Sequence, residues 1–221
     1  TTQPGDLITL SLTVTNRGTE PAVGFWEDGL YLSSDAIWDV NDALLGSVGS
    51  AGNRSIAPGA SYTVNLQARV PASLPGTYRI VGRTDLFNDI YEAENEGNNT
   101  GLSANAVELD VATLTLGVPY RTSLPGSGAV LVRVEAPGDA TLRFSLDSQD
   151  DTGANELYVR REGLPSSLVY DAAFPGGLQP DQQAIVPSTE AGFYYILARS
   201  QGGPDGEIEL FVESIPFGIS S

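Results

Sequence analysis

The sequence of 221 residues contains no cysteine, no histidine and no methionine, and all 11 of its basic residues are arginine. Without cysteine there is no disulfide, thiolate nucleophile or zinc–thiolate site. Without histidine there is no Ser-His-Asp apparatus and no imidazole ligand, and without lysine no Schiff base and no P-loop lysine. The remaining carboxylates, amides, hydroxyls and guanidinium groups suit hard, oxygen-seeking cations such as calcium.

The charge balance is strongly acidic, with 28 acidic residues and a net charge of -17. This argues against nucleic acid and anionic membrane surfaces as partners, because both need a basic face. The longest apolar run, residues 193–198, is too short for direct membrane insertion. Because the chain starts Thr1-Thr2-Gln3-Pro4 without methionine, we expect a fragment of a longer polypeptide, monomeric as a fragment, with any export signal outside it.

Apolar residues recur with a period of two, which is typical of β-strands. Residues 8–14 and 62–70 show this alternation most clearly, and turn signals such as Pro58-Gly59 and Pro125-Gly126 separate the runs. Short strands without intervening helices predict an all-β fold with two tandem β-sandwich domains, one over residues 1–112 and one over residues 113–221. In the second half, strands are predicted over residues 130–134, 142–146, 157–161, 194–198 and 208–212.

The first half carries a series of short motifs. They are Pro4-Gly5-Asp6, Trp26-Glu27-Asp28-Gly29-Leu30-Tyr31-Leu32-Ser33-Ser34-Asp35, Pro58-Gly59, Gly76-Thr77-Tyr78, Asp85 and Glu92-Ala93-Glu94-Asn95-Glu96-Gly97-Asn98-Asn99. With these motifs, residues 4–112 resemble a CARDB domain, the immunoglobulin-like module named for bacterial cell-adhesion proteins. The resemblance implies an extracellular or cell-surface bacterial location and a non-catalytic role.

The second half carries its own set of motifs. They are Asn155-Glu156-Leu157-Tyr158-Val159-Arg160, Gly163-Leu164-Pro165, Tyr170-Asp171, Ile185-Val186-Pro187 and Gly192-Phe193-Tyr194-Tyr195-Ile196. With these motifs, residues 114–215 resemble a bacterial pre-peptidase C-terminal (PPC) domain, a jelly-roll-like β-sandwich of secreted bacterial proteins. The resemblance implies an accessory module associated with export, substrate attachment or stabilisation.

Acidic and amide side chains crowd into several short segments, where carboxylates repel one another unless they are solvated, protonated or bridged by a cation. Six to eight oxygens around one ion is what calcium accepts, so calcium is the predicted cofactor, although the spacing is not that of an EF-hand. The alternative is loop-building, because Asp and Asn side chains bond nearby backbone amides. The predicted ligands are Asp28, Asp35, Asp39, Asp42, Asp85, Asn88, Asp89 and Glu92, with Asp147, Asp150 and Asp151 as a weaker set.

Two other features invite functional interpretations. Asp151-Thr152-Gly153-Ala154 matches the aspartic-protease signature, but that chemistry needs two such carboxylates and the chain has one copy, so we favour an acidic turn. Trp26 and Trp38 flank the first acidic segment and could stack on sugars, although packing in a core or against a loop is favoured.

The expected function is therefore that of a non-catalytic tandem module of a large secreted or cell-surface protein, a stiff and calcium-stabilised spacer or adhesion segment. Its partners would be neighbouring modules of the same polypeptide and a surface protein or polysaccharide. The alternative is an accessory module that binds the protein or polysaccharide substrate of a secreted hydrolase.

Overall fold

The computed structural model describes residues 1–149 and 151–216, without the side chains of residues 93–95. Strands and turns make up the described chain apart from one 3₁₀ helix, Ala93–Asn98, which confirms the all-β prediction. Contacts between Cα atoms divide the chain into two compact units. The first unit comprises Thr1–Thr2, Asp6–Pro71 and Gly76–Leu109, and the second comprises Gln3–Gly5, Ala72–Pro75 and Asp110–Ser221.

The first unit contains nine strands. They are β1 (Leu7–Thr15), β2 (Ala22–Gly24), β3 (Glu27–Ser33), β4 (Ala43–Gly49), β5 (Arg54–Ile56), β6 (Ser61–Arg69), β7 (Gly76–Arg83), β8 (Thr100–Leu102) and β9 (Val107–Leu109).

The sheets of the first unit enclose one apolar core. Strands β1 and β6 pair antiparallel from Leu7↔Arg69 to Thr15↔Ser61, and a second sheet has the order β4-β3-β7-β8, with β9 also paired to β7. Strands β2 and β5 form a separate short pair. Alternation on β1 and β6 sends one side chain inward and the next to solvent, as the period of two requires. The buried core residues are Leu30, Leu32, Val70, Ile80 and Leu109.

The described part of the second unit also contains nine strands, which form two sheets of order β10-β12-β17-β14-β15 and β11-β18-β13-β16. Its neighbouring strands are antiparallel except for β10 and β12, which are parallel. The strands are β10 (Ala112–Leu114), β11 (Tyr120–Leu124), β12 (Ala129–Ala136), β13 (Leu142–Ser148), β14 (Asn155–Arg161), β15 (Ala172–Ala173), β16 (Gln182–Val186), β17 (Gly192–Ser200) and β18 (Gly206–Ser214).

The core of the second unit lies between these two sheets. Leu142, Phe144 and Leu146 of β13 are buried with Ile208 and Leu210 of β18. All five strands predicted for this half are present. Strands β12, β17 and β18 extend beyond both predicted ends, whereas β13 extends only at its C-terminal end and β14 only at its N-terminal end. The fold therefore places both of its large cores between facing sheets, as in a sandwich.

One predicted turn of the second unit allows a close approach of two backbones. A Cβ atom built on Gly126 would lie 1.8 Å from the carbonyl oxygen of Gly203, so only glycine fits there. The Gly126 N–H donates to the Asp205 carboxylate at 3.0 Å. Among the described residues, no helix has the length and apolar character that a membrane crossing requires.

Candidate functional site

Asp28, the first of the predicted calcium ligands along the chain, is fully buried and hydrogen-bonded within the fold. It lies on β3, where its Oδ2 atom accepts a hydrogen bond and ion pair from Arg54 at 2.9 Å. The Tyr62 hydroxyl lies 2.9 Å from both carboxylate oxygens, and the Thr84 hydroxyl donates to Oδ1. Because both oxygens have protein partners, the buried charge is compensated without a ligand.

Aromatic rings complete the surroundings of this ion pair. The Arg54 guanidinium lies 4.5 Å from the ring centre of Tyr62 and 5.1 Å from that of Trp26. The Trp26 indole N–H donates to the Tyr62 hydroxyl at 2.7 Å, and Trp26 is only 6% exposed. Trp26 therefore packs in the interior, as the sequence favoured, and does not present a ring for sugar stacking.

Burial also changes the acidity of Tyr62. Removal of the hydroxyl from water raises the pKa of Tyr62 above its ordinary value of 10.0, while hydrogen bonds with Thr84 and Trp26 act in the opposite direction. Burial raises the pKa of Tyr78 as well. The fold of the first unit thus favours the neutral, protonated form of Tyr62 and of Tyr78.

This shift predicts a loss of stability at high pH. Because the folded-state pKa of Tyr62 lies above the unfolded value, its contribution is fully present below pH 10.0 and is lost as the pH rises through the folded-state pKa. We expect the urea midpoint of wild type, followed by tryptophan fluorescence, to fall above this pH more steeply than that of Tyr62→Phe. Tyr170→Phe, which removes a half-exposed phenol, is the control and should follow wild type. Equal slopes for wild type and Tyr62→Phe would contradict the prediction.

The loop that follows β7 is held by a second buried acid. Asp85 accepts hydrogen bonds from the backbone N–H groups of Asp89 at 2.8 Å and Ile90 at 2.9 Å. Asp85 and Asn88 both adopt positive φ, at 50° and 60°, a conformation that Asp and Asn tolerate better than most residues. Asp89 itself is exposed. The side chain of Asp85 thus has the loop-building role that was the alternative to calcium binding.

The loop between β3 and β4 is built in the same way. Asp35 accepts from the Ile37 N–H at 2.9 Å, Asp39 from the Asn41 N–H at 2.6 Å, and Asp42 from the Asp39 N–H at 3.1 Å. These are short-range Asx-type bonds that fix the turn.

Trp38 anchors this loop. Its ring lies 3.7 Å from the Arg83 guanidinium carbon and packs edge-on against Tyr31, with the ring centres 6.0 Å apart. Trp38 therefore packs against the protein and anchors its loop, which is the role that the sequence favoured.

Glu92 and Glu96, in the acidic run after Asp85, differ from Asp28 and Asp85 because each has a buried carboxylate oxygen without a hydrogen-bond partner among the described residues. The backbone N–H of Glu92 donates to Oε1 of Glu96 at 2.7 Å. The Oε2 atoms of both residues are buried and have no hydrogen-bond partner among the described residues. The amide nitrogen of Asn99 is buried and unpartnered as well.

The weaker predicted set lies in the second unit. Asp147 and Asp151 are exposed, on β13 and in the turn between β13 and β14, and Asp150 falls outside the described residues. Among the side chains that the structure describes, which exclude those of residues 93–95, no three carboxylates are grouped closely enough to hold a metal ion. Calcium binding by the predicted residues therefore stays a prediction.

Sequence reasoning missed the partners of Asp28. Arg54, Tyr62 and Thr84 lie 26, 34 and 56 residues further along the chain, on β5, on β6 and just after β7. The available signal was an acid next to the apolar residues of a predicted strand, because a buried carboxylate needs a cation or several donors.

The chain matches the model of one known protein family. The CARDB family model matches residues 1–102, just under half of the chain. The CARDB resemblance predicted from the sequence is thus confirmed over these residues. No curated protein sequence matches the chain.

Solved structures similar to the chain include the pre-peptidase C-terminal domain of a collagenase from Bacillus anthracis, with 16% identity and a TM-score of 0.39, covering 47% of this chain and 94% of that one. The secreted serine protease VesC from Vibrio cholerae has 12% identity and a TM-score of 0.35, with coverage of 97% of this chain and 48% of that one. A periplasmic inhibitor of g-type lysozyme from Aeromonas hydrophila has 14% identity and a TM-score of 0.35, with coverage of 48% and 96%. The assignment of the second half to the PPC class and the tandem arrangement stay predictions.

Proposed function

We propose that the chain is a non-catalytic module of a larger secreted or cell-surface bacterial protein and acts there as a spacer or adhesion segment. The observation that carries the proposal is the environment of Asp28. This acid of the CARDB-like segment has both oxygens bonded by Arg54, Tyr62 and Thr84, so its charge stabilises the fold and is not presented to a substrate. The match of residues 1–102 to the CARDB family model supports the same function.

One concavity of the second unit is small and carries an ion pair. A concavity of about 120 Å³ is lined by Arg121, Gln149, Glu207, Ile208 and Glu209. Pockets that enclose small ligands usually measure roughly 300–1,000 Å³. The Arg121 guanidinium is paired with Glu209 at 2.9 Å, so the cation of this concavity is already neutralised.

The protease-like tetrapeptide lies in a turn. Strand β13 ends at Ser148 and β14 begins at Asn155, so residues 151–154 connect the two strands. Aspartic-protease chemistry needs two carboxylates that share a proton, and Asp151 is exposed. An acidic turn accounts for the motif.

The proposal predicts that the purified 221-residue chain has no hydrolytic activity. Fluorogenic peptides, nitrophenyl esters and nitrophenyl glycosides should be turned over at the rate of buffer alone, with or without millimolar calcium. The control variant is Asp151→Asn, which removes the acid of the protease-like motif and should give the same baseline. Turnover by the wild type that is lost in Asp151→Asn would contradict the proposal. Hydrolytic activity that stays with both proteins through purification would contradict it as well. A catalytic domain flanking this segment in the parent polypeptide would instead favour the substrate-binding alternative, whereas tandem flanking sandwiches would favour the spacer.

A further inference from the structure

We infer that two copies of this chain associate through β1, with each β1 strand paired antiparallel to the other about a two-fold axis at Ser11. The β1–β6 sheets of the two copies would then form one continuous sheet of order β6-β1-β1-β6. The inference goes beyond the proposed function, which a single copy could perform, and it departs from the monomer expected from the sequence.

The first observation is the open edge of β1. In the part of the chain that the structure describes, β6 is the only strand paired with β1. At one end of this ladder the Asn16 N–H donates to the Ala60 carbonyl at 2.9 Å. At the other end the Val70 N–H donates to the Asp6 carbonyl, also at 2.9 Å. Because hydrogen-bonded pairs alternate along an antiparallel ladder, the even-numbered residues of β1 bond to β6, and the N–H and C=O groups of its odd-numbered residues point to the open edge.

The second observation is the partial exposure of the apolar side of β1. Its inward-facing side chains pack toward the core, yet all four are only partly buried, namely Ile8, Leu10, Leu12 and Val14. The paired strand β6 buries Val64 and Ala68, at 8% and 5% exposure. A further strand beside β1 would cover the apolar surface that this edge leaves partly open, and that burial favours association.

The third observation is that β1 lacks the features that usually protect an edge strand, which are charges, proline, bulges or a very short length. Its nine residues include no charged residue, proline or glycine, and they pair with β6 in unbroken register. The edge strands β8, β10 and β15 have only two or three residues, and β4 contains two glycines and pairs with a register shift. In a chain of net charge -17, a long edge without charge is where two copies can meet without opposing acids.

The sequence of β1 points to a second copy as the partner. The strand reads Leu-Ile-Thr-Leu-Ser-Leu-Thr-Val-Thr. From Ile8 to Val14 it reads the same in both directions about Ser11, apart from the exchange of isoleucine for valine. A strand of this kind is complementary to itself in an antiparallel pair with two-fold symmetry. Because Ser11 is odd-numbered, its N–H and C=O groups lie on the open edge, and the two copies of Ser11 would exchange hydrogen bonds.

This pairing matches side chains on both faces of the joined sheet. On the inner face, Leu10 would lie opposite the partner's Leu12 and extend the apolar core. On the outer face, Thr9 would lie opposite the partner's Thr13. Within one chain Thr13 already lies opposite Thr63 on β6, with the two hydroxyl oxygens 3.0 Å apart. Cross-strand threonine and apolar pairs of this kind stabilise sheets.

The first test is sedimentation velocity over roughly a hundredfold range of concentration, because pairing follows mass action. The wild-type mass should rise from 23.2 kDa toward twice that value. Ser11→Lys and Ser11→Asp should each stay at the single mass, because Ser11 would face its own copy and like charges would meet. An equimolar mixture of the two variants should pair again, because opposite charges would then meet at the axis.

Asn65→Lys is the matched control for the charge. The Ser11 hydroxyl donates to Asn65 on β6, so this variant loses the same hydrogen bond and adds the same charge, but one strand away from the open edge. It should associate like wild type. Far-UV circular dichroism of every variant should match wild type, which separates a loss of pairing from a loss of fold.

Cysteine crosslinking tests the register. The chain has no cysteine, so Ser11→Cys introduces a single thiol. The Cα atoms of a hydrogen-bonded antiparallel pair are about 5.5 Å apart, which a disulfide can span. Ser11→Cys should therefore become a covalent dimer under mild oxidation. Thr9→Cys is the control and should link much more slowly, because its two thiols would be separated along the joined strands.

Three results would overturn the inference. The first is a wild-type mass that stays at 23.2 kDa at every concentration. The second is association that persists in both Ser11→Lys and Ser11→Asp, which would show that the copies meet at another surface. The third is equally fast crosslinking of Ser11→Cys and Thr9→Cys, which would exclude a two-fold axis at Ser11.

Discussion

Replacement of Asp28 by alanine is expected to destabilise the first unit by about 3–5 kcal/mol, the usual cost of removing one partner of a buried ion pair. The Asp28 side chain is 0% exposed and that of Arg54 only 19%, so the guanidinium would be left charged and largely out of water. Tyr62 and Thr84 would lose their acceptor at the same time. Each of these losses acts in the same direction.

Tryptophan fluorescence during urea unfolding measures this loss selectively. The chain has two tryptophans, Trp26 and Trp38, and both belong to the first unit. The control is Asp89→Ala, which removes an exposed carboxylate of the same unit and should change the free energy of unfolding by less than about 0.5 kcal/mol. A loss below about 1 kcal/mol for Asp28→Ala would contradict the expectation.

Truncation of Phe144 to alanine is expected to destabilise the second unit by about 3–5 kcal/mol, the range for large-to-small substitutions at fully buried aromatic positions. Phe144 is 1% exposed, and its ring centre lies 6.4 Å from that of Tyr194 on the opposite sheet. Removal of the Phe144 ring would therefore leave a cavity between the two sheets. The neighbouring side chains come from regular strands on both sides and have little freedom to collapse into the space.

Because the second unit contains no tryptophan, its unfolding is measured as the change in far-UV circular dichroism during urea unfolding that has no counterpart in tryptophan fluorescence. Phe87→Ala is the matched control, as it makes the same chemical change at a side chain that is 69% exposed. It should leave the free energy of unfolding within about 0.5 kcal/mol of wild type. Equal losses for the two phenylalanine variants would show that Phe144 does not lie in a packed core.

Alternation predicted strands such as β1, β13 and β18 because each of them buries one face more than the other. The central strands β14 and β17 are buried over most of their length, and their apolar runs indicated them instead. Residues 142–146 were predicted and β13 is Leu142–Ser148, and residues 208–212 were predicted within β18, Gly206–Ser214. Strands β2, β5 and β15 have two or three residues, too few for a period of two to be recognised. Their pairing depends on distant partners such as Ala22↔Ile56, which local sequence does not encode.

The candidate site was predictable only in its local part. Crowded Asp and Asn residues indicated structured loops, and the bonds of Asp35 and Asp85 to nearby backbone N–H groups span two to five residues. Asp28 differs because it lies on β3 and not in a loop, and its ion pair joins residues 26 positions apart. The clustering of acidic residues in the sequence also could not show which carboxylates have hydrogen-bond partners. That depends on how the folded chain packs around them.

Whether Asp28 serves the fold alone is decided most directly by a double-mutant cycle with Arg54. The variants are Asp28→Asn, Arg54→Met and the pair, since methionine keeps an unbranched side chain beside Trp26 and Tyr62 while it removes the charge. A structural ion pair predicts a favourable coupling energy of about 2 kcal/mol or more in the unfolding free energy of the first unit. A coupling below about 0.5 kcal/mol would contradict that role.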